Sequence, residues 1–365
     1  MRGRRTFATL VAALIAVGLA ALPAAADHVP GEGSRDFMTT AQAMFTDPSL
    51  VTAADAITVG PDESDHRGIM TSQPGSFAAF PTNGPSFGMI STGDTDLMND
   101  PNNEPGLSTV LDGLDTNEGY DLVGFSITFN APAGANCLNA DVKMLSEEFP
   151  EFVGSKFNDF AAASLNNTAP PTVDTTTQDP SLPGNFLYDG SFPPNELEIN
   201  TSQLVSAAAA AGTAYDGATP TLLTQTQVTQ GASNTVRFWI GDVGDPIYDT
   251  TLFVDNLRII PKDPCPTETK GPSLVKGVKA KVKGANAIIS GQILPPAPGG
   301  KVFLTFFANG SPLKKVAKGK DKLNAQSKFS KKFKVPGDST RCMVKVNFKG
   351  DAGHFPSKAK KKFSC

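Results

Sequence analysis

The chain has 365 residues, 39% hydrophobic and 19% charged, with a formal net charge of −4. Its four cysteines include no CxxC pair and its three histidines are scattered, which argues against a zinc framework or a histidine proton shuttle. The small net charge hides a division. Asp27 to Cys265 holds 7 Lys plus Arg against 32 Asp plus Glu, a net of −25, while Pro266 to Cys365 holds 22 against 4, a net of +18. Such asymmetry bears on partners and solubility, not on fold.

Residues 1–26 read as an export signal. Arg2, Arg4 and Arg5 precede the apolar run Phe7 to Leu22, and Ala24-Ala25-Ala26 supplies the small-residue cleavage pattern before Asp27. That run is shorter than the roughly 20 residues needed to cross a bilayer. Arg4-Arg5-Thr6-Phe7 also fits a loose twin-arginine signal. No later segment is apolar enough to span, so the mature chain is expected to be secreted, extracellular or cell-surface associated, without a transmembrane segment. Export makes disulfides the default state of cysteine. Four cysteines allow three connectivities, and sequence does not choose among them. The favoured one pairs Cys137 with Cys265 and Cys342 with Cys365, each bond closing a loop of the unfolded chain.

Residues 27–262 read as an acidic β-sandwich. Short apolar runs bounded by Gly, Pro, Asn and Asp predict strands over Phe87 to Ser91, Leu122 to Phe129, Ala140 to Leu145, Phe157 to Leu165, Thr235 to Ile240 and Thr251 to Ile259. Val123, Phe125, Ile127 and Phe129 share one face, and Val236, Phe238 and Ile240 repeat the pattern. The alanine-rich Ser202 to Ala211 is the best helix candidate. Trp239 points away from Val236, Phe238 and Ile240, beside Arg237. It reads either as a sugar-stacking aromatic or, more commonly for tryptophan, as a ring covered by loops.

Two acidic blocks stand out: SEEFPEFVGSKFND from Ser146 to Asp159, and GDVGDPIYDTTLFVDNLRI from Gly241 to Ile259. Together with Gly88-Met89-Ile90-Ser91-Thr92-Gly93, Gly119 to Phe129, Asp216-Gly217-Ala218-Thr219 and Leu222-Leu223-Thr224, they resemble the choice-of-anchor L domain of secreted and surface-displayed bacterial proteins. The chain departs from that pattern with Phe149 where the family often has Tyr, and with an alanine-rich strand after Phe157-Asn158-Asp159. The family's name records attachment to the cell, so the resemblance implies an address and a jelly-roll-like architecture rather than an activity.

Closely spaced oxygen ligands are what calcium requires, in sets of six to eight. Asp242, Asp245 and Asp249 lie in a loop bent by Gly244 and Pro246, and Asp255, Glu147, Glu148, Asn158 and Asp159 complete a candidate structural calcium set. The spacing is not that of an EF-hand loop. The competing reading is solvated turns, since Asp, Asn and Gly are ordinary turn residues. A third reading is glycoside hydrolysis by two carboxylates, Glu147 with Glu148 or Glu151 with Asp242. Adjacent residues of one strand face opposite ways, which disfavours the first pair. No GxSxG, HExxH or Cys/His arrangement is present, so an enzyme is not expected.

A Pro- and charge-rich linker is expected over 263–270, followed by a basic sandwich over 271–365. Val278, Ala280 and Val282 alternate with Lys279, Lys281 and Lys283, and Lys328 to Val335 repeats the pattern. Asn309-Gly310 is a strong turn signal between Phe303 to Ala308 and Leu313 to Val316, with a further strand over Arg341 to Phe348. Six or seven strands in about 95 residues resemble a bacterial immunoglobulin-like domain. Its lysines, including a tail over Lys358 to Lys362, suit an anionic cell-envelope polymer or extracellular glycan. Specific nucleic-acid recognition is not expected, because Phe329, Phe333, Phe348 and Phe363 fall at core spacing.

The predicted fold is therefore all-β, a jelly-roll-like sandwich followed by a smaller immunoglobulin-like one. The expected function is surface binding or adhesion, with calcium stabilising the acidic part and the basic part tethering it. The alternatives are a carbohydrate-active hydrolase or a structural surface component.

Overall fold

The computed structural model describes residues 27–30 and 37–365, apart from 58–64, 103–105, 110–114, 116–118, 175, 190–195, 201–204, 272, 295, 298, 309–312, 338 and 352–353. The expected export signal and the Asn309-Gly310 turn lie outside the described residues. In chain order the acidic part forms β1 (Asp27–Pro30), α1 (Phe37–Met44), β2 (Val51–Ala56), β3 (Arg67–Thr71), β4 (Ser86–Ser91), β5 (Gly119–Asn130), β6 (Cys137–Ser146) and β7 (Phe160–Leu165). There follow the small pair β8 (Thr172–Val173) and β9 (Pro180–Ser181), then β10 (Leu197–Glu198), β11 (Gly217–Ala218), β12 (Leu222–Gln227), β13 (Ser233–Val243), β14 (Thr250–Ile260) and β15 (Glu268–Lys270).

These strands build two sheets. The larger runs β1-β3-β4-β14-β6-β12-β15, with β11 also on β6; the smaller runs β10-β7-β13-β5-β2, and neighbours are antiparallel. The period-two residues explain the packing. Val123, Phe125, Ile127 and Phe129 on β5 and Val236, Phe238 and Ile240 on β13 share one buried cluster with Leu138, Ala140, Val142 and Met144 of β6 and Leu252 and Val254 of β14. On the opposite face of β13, Trp239 is fully buried with Leu122, Phe160, Ala162, Leu182 and Val243, so it is a covered ring rather than a sugar platform. It lies against Gly124, where a Cβ would fall 2.5 Å from the indole.

The helical expectations are corrected. The expected helix over Ser202 to Ala211 is one 3-10 turn, Ala207–Ala209, among its described residues. Ser206 instead bridges to Ala218, and one alanine turn does not meet the cost of nucleating a helix. The α-helix is Phe37–Met44, within a segment expected to be β-rich. Its buried Phe37, Thr40, Ala41 and Met44 follow the i, i+3, i+4, i+7 pattern. Met44 nests against Gly88, where a Cβ would lie 2.5 Å from Cε.

The basic part forms β16 (Leu274–Lys283), β17 (Asn286–Leu294), β18 (Lys301–Ala308), β19 (Lys314–Lys322), β20 (Lys328–Lys334), β21 (Arg341–Phe348) and β22 (Ser357–Ser364). Sheets β16-β17-β20 and β19-β18-β21-β22 face one another, and Ile289, Leu304, Phe306, Phe329, Phe333, Val344 and Phe348 lie in their common core. The three-plus-four arrangement is immunoglobulin-like. The lysines read as a tail, Lys358 to Lys362, belong to β22. Within the expected linker, Glu268–Lys270 is β15, an edge strand paired with β12.

Both favoured disulfides are present, Cys137–Cys265 across 128 residues and Cys342–Cys365 across 23. Loop-closure entropy rises with loop length, so replacing both members by alanine costs about 3 kcal/mol for the short loop and nearer 5 for the long one. Urea unfolding of the two double variants should place Cys137→Ala/Cys265→Ala below Cys342→Ala/Cys365→Ala.

Candidate functional site: a buried carboxylate cluster

The two sheets of the acidic sandwich leave their strand ends close together. Thr250 at the start of β14 pairs with Ser146 at the end of β6, while Gly241 and Asp242 near the end of β13 pair with Phe160 of β7 and Tyr120 of β5. Asp242 continues the inward series Val236, Phe238, Ile240 by one further step of two. It therefore stands where another aliphatic side chain would close the core. A register shift sets Ile240 opposite Val123 and Asp242 opposite Tyr120, and the extra β5 residues include Asp121 at φ 45°.

Five carboxylates gather here with almost no solvent exposure: Glu147 at 3%, and Glu148, Asp159, Asp242 and Asp249 at 1% each. Glu147 and Glu148 follow the end of β6 in a turn, so the opposite-face rule of a strand does not separate them. Part of the cluster is satisfied by hydrogen bonds. Thr250 Oγ1 donates to Asp159 Oδ2 at 2.7 Å and the Val243 amide to Asp159 Oδ1 at 3.1 Å. The Thr109 amide and hydroxyl donate to Asp249 at 3.1 and 2.8 Å. The rest is not satisfied: both oxygens of Glu147, Oε2 of Glu148 and Oδ1 of Asp242 have no hydrogen-bond partner. Backbone groups of Leu107 and Asp216 lie near enough to favour the Glu147 anion, but outside hydrogen-bond geometry. Among the described residues, no lysine or arginine forms an ion pair with any of the five.

The close approach is built into the glycines. A Cβ on Gly93, the end of the Ser-Thr-Gly segment, would lie 1.9 Å from Asp249 Oδ2; one on Gly106 would lie 3.2 Å from Glu147 Oε2. Hydroxyls line the neighbouring strand ends. Thr251 Oγ1 donates to Ser91 Oγ at 2.7 Å, and the Thr250 amide donates to Thr92 Oγ1 at 2.9 Å.

Burial is the main force on these acids, because desolvation penalises the charged form. It pushes Glu147 up to about 8 and Glu148 to about 9, the latter helped by Asp159 and Asp245. Asp159 and Asp249 rise to about 7, again chiefly through burial. Asp242 is raised well above the usual carboxylate range by burial and then by Asp159 and Asp249.

The structure thus brings together Glu147, Glu148, Asp159, Asp242 and Asp249, with Asp245 half-buried beside them and its Oδ1 accepting from the Ile247 amide. Two candidates are engaged elsewhere. Asp255 stands five residues along β14 from Thr250, roughly 17 Å at strand rise, and clamps a loop by accepting from the Thr82 and Asn83 amides. Asn158 is taken up by Glu198 and the Asn200 amide. Glu151 is exposed in the turn, so Glu151 and Asp242 do not form an accessible pair. The sequence reading missed Asp121 and Asp94, whose charges act on Asp242 and Asp249 respectively. Asp94 directly follows the Ser-Thr-Gly segment, and that adjacency was its only signal. Among the described residues, no three His, Cys, Asp or Glu side chains converge tightly enough to ligate an ion in this arrangement. No helix among them is long and apolar enough to cross a membrane.

No family model matches this sequence, and neither does any curated protein. Solved structures to which the chain shows some similarity include OgpA from Akkermansia muciniphila, 17% identical over 26% of this chain and 29% of that one, at a TM-score of 0.21. The β-glucuronidases of Ruminococcus gnavus and Parabacteroides merdae are each 10% identical over 86% of this chain, covering 44% and 34% of theirs, at TM-scores of 0.22 and 0.23. The chain spans less than half the length of each. Likeness at these scores carries no argument about activity.

The raised acids fix a pH dependence. A carboxylate whose folded value lies above its unfolded value favours folding below the unfolded value and loses that contribution as pH rises through the folded one. For Glu147, Glu148, Asp159 and Asp249 the window opens near the ordinary carboxylate values of 3.8 to 4.5 and closes near 7 to 9. Chelator-treated protein should lose melting temperature steadily across that window. A flat profile would show that burial does not raise the titration of these four acids.

Proposed function

We propose that the protein is an exported, non-enzymatic binding protein of the bacterial cell surface. Its acidic sandwich is held together by calcium, and its basic sandwich fastens it to anionic polymer. The observation that carries the reading is the cluster of five carboxylates, none more than 3% exposed and none paired with a cationic side chain among the described residues. An isolated buried carboxylate is costly unless it is neutralised or paired. A divalent ion supplies the missing charge, and calcium accepts six to eight oxygens in flexible geometry. Glu147, Glu148 and Asp242 offer oxygens that have no hydrogen-bond partner, while Asp159 and Asp249 are already positioned by threonines. The ion would draw these side chains closer than they stand. The same burial speaks against hydrolysis, since a glycan cannot reach acids that open to no solvent. The resemblance to the choice-of-anchor L family and the charge division support surface attachment.

A thermal melt with calcium and with chelator tests this. A ligand bound only by the folded state stabilises it by about 2.7 kcal/mol at a hundredfold over Kd. Calcium should raise the melting temperature of the mature protein. Asp242→Asn with Glu148→Gln should abolish that rise while raising the melting temperature in chelator, because two buried acids no longer have to take up protons on folding. No calcium response in the unaltered protein, or one that survives the double substitution, would overturn the reading.

A further inference from the structure

The outer face of the sheet β19-β18-β21-β22 carries a second organised feature. On β18, Val302, Leu304, Phe306 and Ala308 point into the core, so Phe303, Thr305 and Phe307 point outward. The register across the sheet sets these into three rows: Lys320-Phe303-Asn347-Lys358, Lys318-Thr305-Lys345-Lys360 and Lys315-Phe307-Met343-Lys362. Phe303 is 36% exposed, and the two phenylalanines stand roughly 13 Å apart at the usual strand rise. Lys345 Nζ lies 5.3 Å from the Phe307 ring centre, and Lys349 Nζ lies 5.0 Å from that of Phe303.

Two shallow grooves of about 700 and 680 Å³ cross this face and share Lys345. Aromatic, amide, hydroxyl and ammonium groups and the Arg341 guanidinium line them, and among the described residues no carboxylate does. The placement of charge works against folding. Lys345 sits directly opposite Lys360, and like charges in that position repel. Lysines in a position that costs stability point to a function that uses them.

We infer that this face is a docking surface for an acidic polysaccharide, a chain whose sugar rings lie on Phe303 and Phe307 while its carboxylates or sulfates meet Lys345, Lys358 and Lys360. The inference rests on the reading of the basic sandwich as the tether and adds the face and the chemistry of the partner. Lysine presents a point charge rather than the planar fork that arginine offers to phosphate, which suits a partner read by charge density. A polymer rather than a globular partner fits because lysines also point outward from β16, β19 and β20.

The test is binding of the mature protein to polygalacturonate, with uncharged dextran, single-stranded DNA and phosphatidylglycerol vesicles beside it, at low and high salt. Lys345→Gln with Lys360→Gln should weaken polygalacturonate binding about tenfold or more, as should Phe303→Ala with Phe307→Ala, while Lys279→Gln with Lys281→Gln on β16 removes the same charge for less than about threefold. The first variant should keep or raise the melting temperature, which separates lost binding from lost fold. Equal weakening by the β16 pair would overturn the face and leave the tether standing. Tighter binding to DNA or to vesicles would overturn the choice of polymer. No binding to any polyanion would overturn both the inference and the tether.

Discussion

Everything at one end of the acidic sandwich follows from placing like charges where a hydrophobic core should finish. Asp242 takes the inward position next after Ile240, and Glu148, Asp159 and Asp249 converge on it from other strand ends. A protein interior tolerates such groups only when something offsets their charge. The threonines around them, Thr92, Thr109 and Thr250, hold three carbonyl or carboxylate groups in place but supply no positive charge. Gly93 and Gly106 remove the side chains that would otherwise hold the acids apart. The surrounding chain is thus arranged to keep the carboxylates close, against their mutual repulsion.

The basic sandwich shows the same tension on its surface. Its core is an apolar cluster that includes Phe306, Phe329, Phe333 and Phe348. The exterior is instead lysine on strand after strand, with Lys345 facing Lys360. In both halves, local electrostatics oppose the fold while the apolar packing supports it. Departures of this kind tend to mark functional positions.

Much of this was legible in the sequence, for definite reasons. Alternation in Val123 to Phe129 and Val236 to Ile240 survives because both strands have one face in the core, which leaves a period of two. The same step of two reaches Asp242. Chain position hid the rest. Asp94 and Asp121 come from segments that look like ordinary turn and strand until the sheets bring them in. Asp255 and Asn158 had the right chemistry in the right blocks, yet hydrogen bonds to Thr82, Asn83 and Asn200 use them elsewhere. Helix α1 was missed because eight residues carry a weak signal. The alanine run misled because intrinsic propensity yields to the bridge between Ser206 and Ala218.

The joint between the halves has a mechanical consequence. The chain leaves the acidic sheet through β15, a three-residue strand at the sheet's edge, and enters β16 at Leu274. Four residues before Thr269 of that strand lies Cys265, with its covalent partner Cys137 on the interior strand β6, two strands in from β15. A load applied to the C-terminal sandwich would peel the few ladder hydrogen bonds of β15 and then arrive at a sulfur–sulfur bond. Beyond that point the force is borne by β6 inside the sheet, so the core resists traction as a block rather than unravelling from its rim.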